Sequence, residues 1–344
     1  MKKLFTILFF LLIVKGNVNS QVLFNENFAY TAGDSIQAHG WITNTGTTNP
    51  LLVSTPGLIF SGFPNSNIGN SLILRPTGYD AWKGFNQDST GAIYTAFMVR
   101  IDSAKGTGDY FFALLPSTST TNYTARTYAK DTTGGISFGI SRGTVASGIG
   151  WSSTTFNYGT TYLLVVKYNF IVGTTNDEVS LYVFNTTAPL TEPVTATVGP
   201  VPSTAGDAVN IGRVAVRQGT ATVAPYLYID GFRVTKTWAA IVTNVQTTST
   251  VAESFKLSQN YPNPFNPATK ISFALPSAGK VTLKVYDALG KEVNSLVNND
   301  LSAGSFEYNF NGSNLNSGVY FYKLEFFGND GKFFTDMKKM MLIK

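Results

Sequence analysis

The stretch Tyr162-Leu163-Leu164-Val165-Val166-Lys167-Tyr168 is the strongest indication of the fold in this sequence. Successive side chains of a β-strand point to opposite faces, so every second residue from Tyr162 to Tyr168 would share one face. The opposite face is also apolar, apart from Lys167. The pattern therefore predicts a strand that is covered on both faces.

The sequence on either side of this stretch repeats the same two-residue period. In Glu178–Val183, the residues Val179, Leu181 and Val183 are expected to point inward. Similar runs lie between clusters of turn-forming residues, at Ile93–Ile101, Tyr110–Leu115, Tyr123–Ala129, Ile136–Ile140 and Leu227–Val234. Many short strands joined by turns predict an all-β fold for residues 21–242, an antiparallel sandwich of two sheets.

The composition excludes several classes of protein. The 344 residues are 43% hydrophobic and 14% aromatic, with no Cys and a single His. A chain this apolar can bury enough surface to offset its ordering entropy, which argues against disorder. The absence of Cys excludes disulfide frameworks and thiolate zinc sites, and the single His39 excludes a three-histidine zinc site.

Residues 1–20 have the pattern of a secretory signal peptide. A short basic segment, Met1-Lys2-Lys3, precedes an apolar run at residues 4–14 that is about half as long as a membrane-spanning helix. Small and polar residues follow, and they predict cleavage between Ser20 and Gln21. We therefore expect an exported protein with no transmembrane segment in the mature chain.

The net charge of +5 is contributed mostly by the signal peptide. Residues 21–251 carry 12 basic and 12 acidic side chains, which balance. A neutral, charge-poor body creates no attractive field for nucleic acid or anionic lipid, so we expect no nucleic acid among the partners.

A second block of strands follows a change in composition. Residues 243–253 lose the alternation and most large apolar side chains, which predicts an extended linker. Residues 254–344 then resume short apolar runs separated by turns that carry Gly or Asn. Their number and length predict a small immunoglobulin-like sandwich.

The second block also contains a distinctive series of motifs. It opens with Leu257-Ser258-Gln259-Asn260-Tyr261-Pro262-Asn263-Pro264-Phe265-Asn266-Pro267 and continues with Val285-Tyr286-Asp287-Ala288-Leu289-Gly290-Lys291-Glu292-Val293. Ser317-Gly318-Val319-Tyr320-Phe321-Tyr322-Lys323-Leu324 and Lys338-Lys339-Met340-Met341-Leu342-Ile343-Lys344 follow. In this order and spacing, the motifs resemble the type A C-terminal sorting domain of the type IX secretion system.

The resemblance implies an export address. Such domains are recognised by an outer-membrane translocon, and the cargo is released or attached to lipopolysaccharide on the surface of a Gram-negative bacterium. In the family, the final strand and its short basic and apolar end are needed for recognition. The residues that match the sorting motifs are Tyr261, Pro262, Asn263, Pro264, Phe265, Asn266, Pro267, Gly318, Tyr320, Lys338, Lys339 and Lys344.

The prolines give the opening motif a stiff backbone. Each proline fixes its own φ and pushes the residue before it toward an extended conformation. We expect Tyr261 and Phe265 to plug the mouth of the sandwich that follows. The alternative interpretations are a proline-rich ligand for a partner's groove and, for residues 338–344, an ordinary edge strand with solubilising lysines.

Residues 21–242 resemble the laminin-G and concanavalin A-like jelly-roll superfamily. The resemblance is carried by Tyr162–Tyr168 with Glu178–Val183, by Tyr228–Val234, and by short stretches around Asn27–Tyr30 and Ala38–Trp41. It implies a jelly-roll sandwich, and the superfamily includes lectins, calcium-dependent glycan binders and glycosidases. A fold of this kind does not by itself select one of these functions.

The acidic residues are not arranged for catalysis. Glycosidases need two carboxylates that face one cleft, which on a strand means acids at i and i+2 or i+4. This sequence offers isolated acids and the adjacent pair Asp177-Glu178, whose side chains would point to opposite faces. We therefore predict no catalytic residues and no obligatory cofactor. A calcium site completed by backbone carbonyls stays open as an alternative.

Exposed aromatic side chains are the best candidates for a ligand site, because glycans stack on such platforms. Trp82, Trp151 and Tyr79 lie in sequence contexts typical of loops, and Asp80 follows Tyr79 directly. These four residues are the predicted ligand-binding site.

Three functions are then open to the chain. The first is a secreted or cell-surface binding and adhesion protein that is not an enzyme and that binds glycans. The second is a structural component of the surface layer without a small ligand. The third is a glycosidase or lyase acting on polysaccharide.

Overall fold

A computed structural model describes residues 22–45, 48–143, 148–202, 206–242, 245–249, 254–301 and 303–344. The predicted signal peptide at residues 1–20 and its cleavage between Ser20 and Gln21 lie outside the described residues. No helix within the described ranges is long and apolar enough to cross a membrane.

The first part of the chain is built almost entirely from strands. A short 3₁₀ helix, Ile36–His39, lies between the first two strands, and a short helix α1, Ala239–Val242, follows the last one. The strands are β1 Val22–Glu26, β2 Ile42–Thr45, β3 Leu52–Ser54, β4 Ser71–Leu74, β5 Asp80–Asp88, β6 Ala92–Ser103, β7 Asp109–Leu115, β8 Thr124–Thr132, β9 Gly135–Ser141, β10 Gly150–Trp151, β11 Thr161–Asn169, β12 Glu178–Phe184, β13 Val198–Pro202, β14 Ile211–Arg217 and β15 Tyr226–Thr235.

These strands form two antiparallel sheets that pack face to face. The eight-stranded sheet has the order β13-β12-β11-β6-β15-β4-β3, and β1 also pairs with β15. The seven-stranded sheet has the order β10-β9-β8-β7-β14-β5-β2. Aromatic side chains join the two sheets, with the rings of Phe97 and Phe112 only 4.5 Å apart. The predicted antiparallel sandwich is confirmed.

Strand β11 shows why the deciding stretch is apolar on both faces. Tyr162 and Tyr168 point into the core between the two sheets. Leu163 and Val165 point the other way, into a second cluster formed with Trp238 and the segment around Leu58–Phe63. The strand lies between β6 and β12, and both of its faces are covered as the sequence predicts.

The second part of the chain forms a separate, smaller sandwich with its own core. Its strands are β16 Val245–Ser249, β17 Lys256–Leu257, β18 Ala268–Leu275, β19 Gly279–Asp287, β20 Glu292–Leu301, β21 Gly304–Asn311, β22 Gly318–Gly328 and β23 Phe333–Leu342. They make two four-stranded antiparallel sheets, β16-β21-β18-β17 and β20-β19-β22-β23. The predicted small C-terminal sandwich is confirmed.

The predicted linker at residues 243–253 needs a correction. Its central residues, Val245–Ser249, form strand β16, which pairs with β21 at the edge of the C-terminal sandwich. The prediction rested on the loss of apolar side chains. An edge strand can form without them, because its backbone hydrogen bonds come from its neighbour.

Candidate functional site

The outer face of the seven-stranded sheet, turned away from the core, gathers aromatic and basic side chains. In β8, the residues Arg126, Tyr128 and Lys130 occupy every second position on this face, while Ala125 and Ala129 belong to the core. Neighbouring strands add further rings and cations to the same surface. We call this set the aromatic face: Trp82, Tyr110, Tyr123, Tyr128, Trp151, Arg126, Lys130, Arg213 and Arg217.

Four of the rings form a continuous row. The ring of Trp151 lies 5.9 Å from that of Tyr128, which lies 5.7 Å from that of Tyr110. Tyr123 continues the row at 5.9 Å from Tyr110. Edge-to-face and tilted contacts at these distances stabilise aromatic pairs, so each ring fixes the orientation of the next.

Cations lie over two rings of the row, Trp151 at one end and Tyr110 next to the other end. The Lys130 Nζ is 4.2 Å from the centre of the Trp151 ring. The guanidinium carbons of Arg126 and Arg217 are 4.6 Å and 4.3 Å from the centre of the Tyr110 ring. Cations in these positions are attracted by the ring quadrupole, so the long side chains lie flat across the sheet.

Trp82 occupies the far side of the same face. Its ring is covered by the Arg213 guanidinium at 3.8 Å, and its indole N–H is buried without a hydrogen-bond partner among the described residues. Ile42, on the neighbouring strand, is 51% exposed beside it. Trp151 and Trp82 lie on strands five positions apart in the sheet, which corresponds to about 24 Å.

The structure separates the four predicted ligand-binding residues. Trp82 and Trp151 share the aromatic face. Tyr79 packs against the core instead. Asp80 is 8% exposed and accepts a hydrogen bond from the backbone N–H of Gln218 at 3.1 Å.

Arg217 holds two carboxylates beside the row. Its Nη1 donates to Asp109 Oδ2 at 2.6 Å, and its Nε lies 3.7 Å from Asp80 Oδ2. Burial alone would lower the pKa of Arg217, but these carboxylates raise it above its usual value. Burial also raises the pKa of Tyr110 and of Tyr123, so both phenols are neutral hydrogen-bonding groups at physiological pH.

Tyr110, Tyr123 and Tyr128, and the cations over the first two, are not among the residues predicted from the sequence. The period-two pattern Arg126, Tyr128, Lys130 is the signal that could have revealed them, since it places two cations and a ring on one face of one strand. The ring partners of Tyr128 come from β7 and β10, about twenty residues before and after it, and only the sheet brings them together.

The scattered aspartates do not gather into a metal site in the described part of the chain. No group of three or more His, Asp or Glu residues there could hold a metal ion. Asp34 contacts His39 at 3.1 Å, and Asp207 contacts Arg142 at 2.8 Å. The described residues therefore do not fit a calcium site built from clustered carboxylates.

The sorting motif and the last strand meet at one place in the C-terminal sandwich. Phe265 donates its backbone N–H to the carbonyl of Met341 at 2.9 Å and accepts from the N–H of Ile343 at 3.0 Å. The Asn263 Oδ1 accepts from the N–H of Met341 at 2.9 Å, and Gln259 donates to the carbonyl of Lys339 at 2.7 Å. We call this contact between residues 259–267 and residues 339–343 the clasp.

The two aromatic residues of the motif behave differently. Phe265 is 2% exposed, as predicted, and packs near Phe310 with the ring centres 5.9 Å apart. Tyr261 is 80% exposed, so the prediction that it plugs the sandwich is wrong. Its backbone pairs with that of Lys270 in both directions, and this bridge leaves the side chain on the outside.

The remaining motif residues lie around the clasp. Gly318 and Tyr320 begin β22 and pair with Leu342 and Met340 of β23. The Tyr320 hydroxyl donates to the carbonyl of Asn316 at 2.8 Å. The carbonyls of Pro262 and Pro267 accept hydrogen bonds from Thr269 and Gly312. Lys338 pairs with Asp336, and the carbonyl of Lys339 accepts from Asn263. Lys344 donates to Ser313 and Ser317. Pro264 and Asn266 complete the motif between these contacts.

Comparison with known families identifies the C-terminal part. Residues 259–337 match the family described as the secretion system C-terminal sorting domain. The predicted type IX sorting domain is confirmed, and with it a partner in the type IX secretion machinery. The protein is delivered outside the outer membrane of a Gram-negative bacterium, either secreted or at the cell surface.

Several solved structures are similar to parts of this chain at low identity. Domain 4 of AbnA, a GH43 extracellular arabinanase from Geobacillus stearothermophilus in complex with arabinotriose, is 10% identical; the match covers 63% of this chain and 93% of that chain, with a TM-score of 0.37. The carbohydrate recognition domain of Emp47p is 11% identical over 64% of this chain and 97% of that chain, with a TM-score of 0.34. CopC from Methylosinus trichosporium OB3b is 15% identical over 26% of this chain and 93% of that chain, with a TM-score of 0.20. A comparison with curated proteins gives no significant match.

Proposed function

We propose that this exported protein binds glycans through the aromatic face of its large sandwich and that it is not an enzyme. The single observation that carries the proposal is the row of rings from Trp151 to Tyr123, with Trp82 further along the same sheet face. Aromatic side chains on an outer sheet face are not needed for the core. The partly exposed rings of Trp151, Tyr110, Tyr123 and Trp82 offer apolar surface that matches the C–H faces of sugar rings, whereas Tyr128 is buried and contacts its neighbours in the row.

The dimensions of the face suit a chain rather than a single sugar. About 24 Å separates Trp151 from Trp82 across the sheet, which is long enough for several linked sugar units. The unpartnered indole N–H of Trp82 can donate to a ligand oxygen when Arg213 moves off the ring.

The carboxylates beside the face support binding rather than hydrolysis. A glycosidase needs one carboxylic acid that keeps its proton and a second carboxylate opposite it. Asp80 and Asp109 instead share the Arg217 guanidinium. Their role in the proposal is to fix Arg217 over Tyr110.

The test is a glycan array probed with the mature protein, residues 21–344, in calcium and in chelator. We expect binding in both buffers, because the proposed contacts are rings and cations of the chain itself. Trp151→Ala and Trp82→Ala should each weaken binding about 5- to 160-fold, if a ring stacked on a sugar contributes the about 1 to 3 kcal/mol that a ring stacked on a nucleic-acid base does.

The matched control is Tyr228→Ala. Tyr228 lies on the other sheet, with Arg100 over its ring at 4.3 Å, so the same kind of contact is removed on the opposite side of the sandwich. An array without binding in either buffer would contradict the proposal, and ordered self-assembly of that protein would then favour a surface-layer component. Release of sugars from a bound polysaccharide would favour an enzyme instead.

A further inference from the structure

The positive charge of the large sandwich is distributed unevenly. Residues 21–251 are neutral as a whole, with 12 basic and 12 acidic side chains. Half of the basic side chains are compensated by ion pairs within 4 Å. These pairs are Lys83 with Glu26, Arg100 with Asp102, Arg142 with Asp207, Lys167 with Glu192, Arg217 with Asp80 and Asp109, and Lys236 with Asp88.

Three other cations lie together on the aromatic face. Arg126, Lys130 and Arg213 form no ion pair with any carboxylate in the described part of the chain. Arg126 and Arg213 donate only to backbone carbonyls, those of Tyr123 and Ser119. Burial lowers the pKa of Arg213, as expected for a partly desolvated cation that lacks a counter-charge.

We propose that the aromatic face selects acidic glycans, meaning polysaccharides whose sugar units carry carboxylate groups. The inference rests on the proposed glycan binding and names the class of ligand for the same site. Each unpaired cation lies directly on a ring: Lys130 on Trp151, Arg126 on Tyr110 and Arg213 on Trp82. A sugar unit that stacks beside such a ring brings its carboxylate within reach of the cation.

The geometry favours carboxylates on successive parts of one chain. Arg126 and Lys130 are four residues apart on the same face of β8, which places them about 13 Å apart along the strand. Arg213 lies two strands further across the sheet, on β14. A planar guanidinium accepts a carboxylate with two parallel hydrogen bonds, which gives orientation as well as energy.

A neutral glycan would be disfavoured on the same surface. It would cover three cations without supplying a counter-charge, and covering an uncompensated charge costs free energy. Discrimination therefore comes from the acidic ligand's added attraction and from the neutral ligand's desolvation cost.

The test compares each acidic polysaccharide with its own neutral form. Polygalacturonate, alginate and hyaluronate are each measured against the methyl-esterified polymer by calorimetry with the mature protein, residues 21–344. At least one acid form should bind at least tenfold more tightly than its ester, and its affinity should fall as salt increases. Arg126→Gln, Lys130→Gln and Arg213→Gln should each reduce that preference.

Arg100→Gln is the matched control. Arg100 also lies over a tyrosine ring, but it is paired with Asp102 at 3.0 Å and faces away from the aromatic face. The variant should keep the full preference for the acid form. If Arg100→Gln lost the preference for the acid form to the same extent, that preference would come from general attraction between charges, and the inference would be overturned.

Two further outcomes separate the inference from the proposed function. If esters or neutral glycans bind as tightly as acids, glycan binding stands and the selection of acidic ligands is wrong. If no glycan binds, the proposed function fails and the inference fails with it. Thermal unfolding of every variant shows whether a loss of binding reflects a loss of folded protein.

Discussion

Arg217, on the aromatic face, contacts two carboxylates and a ring with one side chain. Arg217 joins Asp109, Asp80 and the Tyr110 ring, so one side chain fixes the relative positions of three strands. Asp230, in contrast to Arg217, is a charged residue type without an ion pair among the described residues. It is fully buried in β15, and one of its carboxyl oxygens has no hydrogen-bond partner among the described residues.

The buried Asp230 should make stability depend on pH. Burial raises its pKa to about 8, although the backbone N–H groups of Leu58 and Gly231 oppose the shift. The ordinary pKa of an Asp carboxyl is 3.8, so between pH 4 and 8 the unfolded chain has lost this proton while the folded protein keeps it. The free energy of unfolding therefore falls as pH rises between about 4 and 8. The slope should approach about 1.4 kcal/mol per pH unit within that window.

Asp230→Asn tests this directly, since asparagine keeps an acceptor for the Leu58 N–H and does not titrate. Urea unfolding in chelator at pH 5, 6, 7 and 8 should show a flatter dependence for the variant than for the parent. Asp102→Asn is the control, because the Asp102 side chain is partly exposed and pairs with Arg100, which stays charged throughout this window, so the slope should be unchanged. If the free energy of unfolding changed with pH equally in the parent and in Asp230→Asn, Asp230 would not be the source of the pH dependence.

At the scale of elements, the clasp joins two segments that are far apart in sequence. The proline-rich segment around Phe265 pairs in parallel with the end of β23, the only such bridge that the described strands show. Phe265 fills the core beneath it. The two motifs identified in the sequence therefore form one surface, and we expect the export machinery to need them assembled.

Phe265→Ala should open the clasp without changing the sequence of the final residues, 338–344. A large-to-small change in a core costs about 3 to 5 kcal/mol, and here the loss falls on the contact with β23. The variant should accumulate in the periplasm, as measured by cell fractionation and surface labelling. Phe273→Ala is the control, because Phe273 is also 2% exposed and packs on Phe306 away from the clasp. Equal retention of both variants would show that export responds to overall stability rather than to the clasp.

Some strands could be predicted from the sequence and others could not. The strands at Tyr162–Tyr168 and Glu178–Val183 were predictable, because their alternation reports burial directly. Strand β16 was not, since its stability comes from pairing with β21, about sixty residues away. The aromatic face was only half predictable: Trp82 and Trp151 stood out as large rings, whereas Tyr110 gains its role from neighbours on β8 and β14.

At the scale of the whole molecule, the two sandwiches have separate cores. The core between the large sheets contains no residue after Val234, and the C-terminal core begins at Leu257, within the described residues. Separate cores predict that the C-terminal part folds by itself.

A fragment of residues 245–344 should therefore fold and unfold cooperatively, and it should be more stable than a fragment of residues 254–344. The shorter fragment lacks β16 and leaves an edge of β21 unpaired. Circular dichroism with thermal unfolding measures both fragments. Equal melting temperatures would show that β16 contributes nothing, and an unfolded longer fragment would contradict the separation into two cores.

The cations that lie over the rings have a consequence before any ligand is met. A protein whose body carries no net charge has little long-range repulsion to keep its copies apart. Bare indole and phenol rings on such a surface would promote clumping during transit to the outside of the cell. Arg126, Lys130 and Arg213 keep a hydrated charge over the rings of Tyr110, Trp151 and Trp82, so this surface should resist self-association during export.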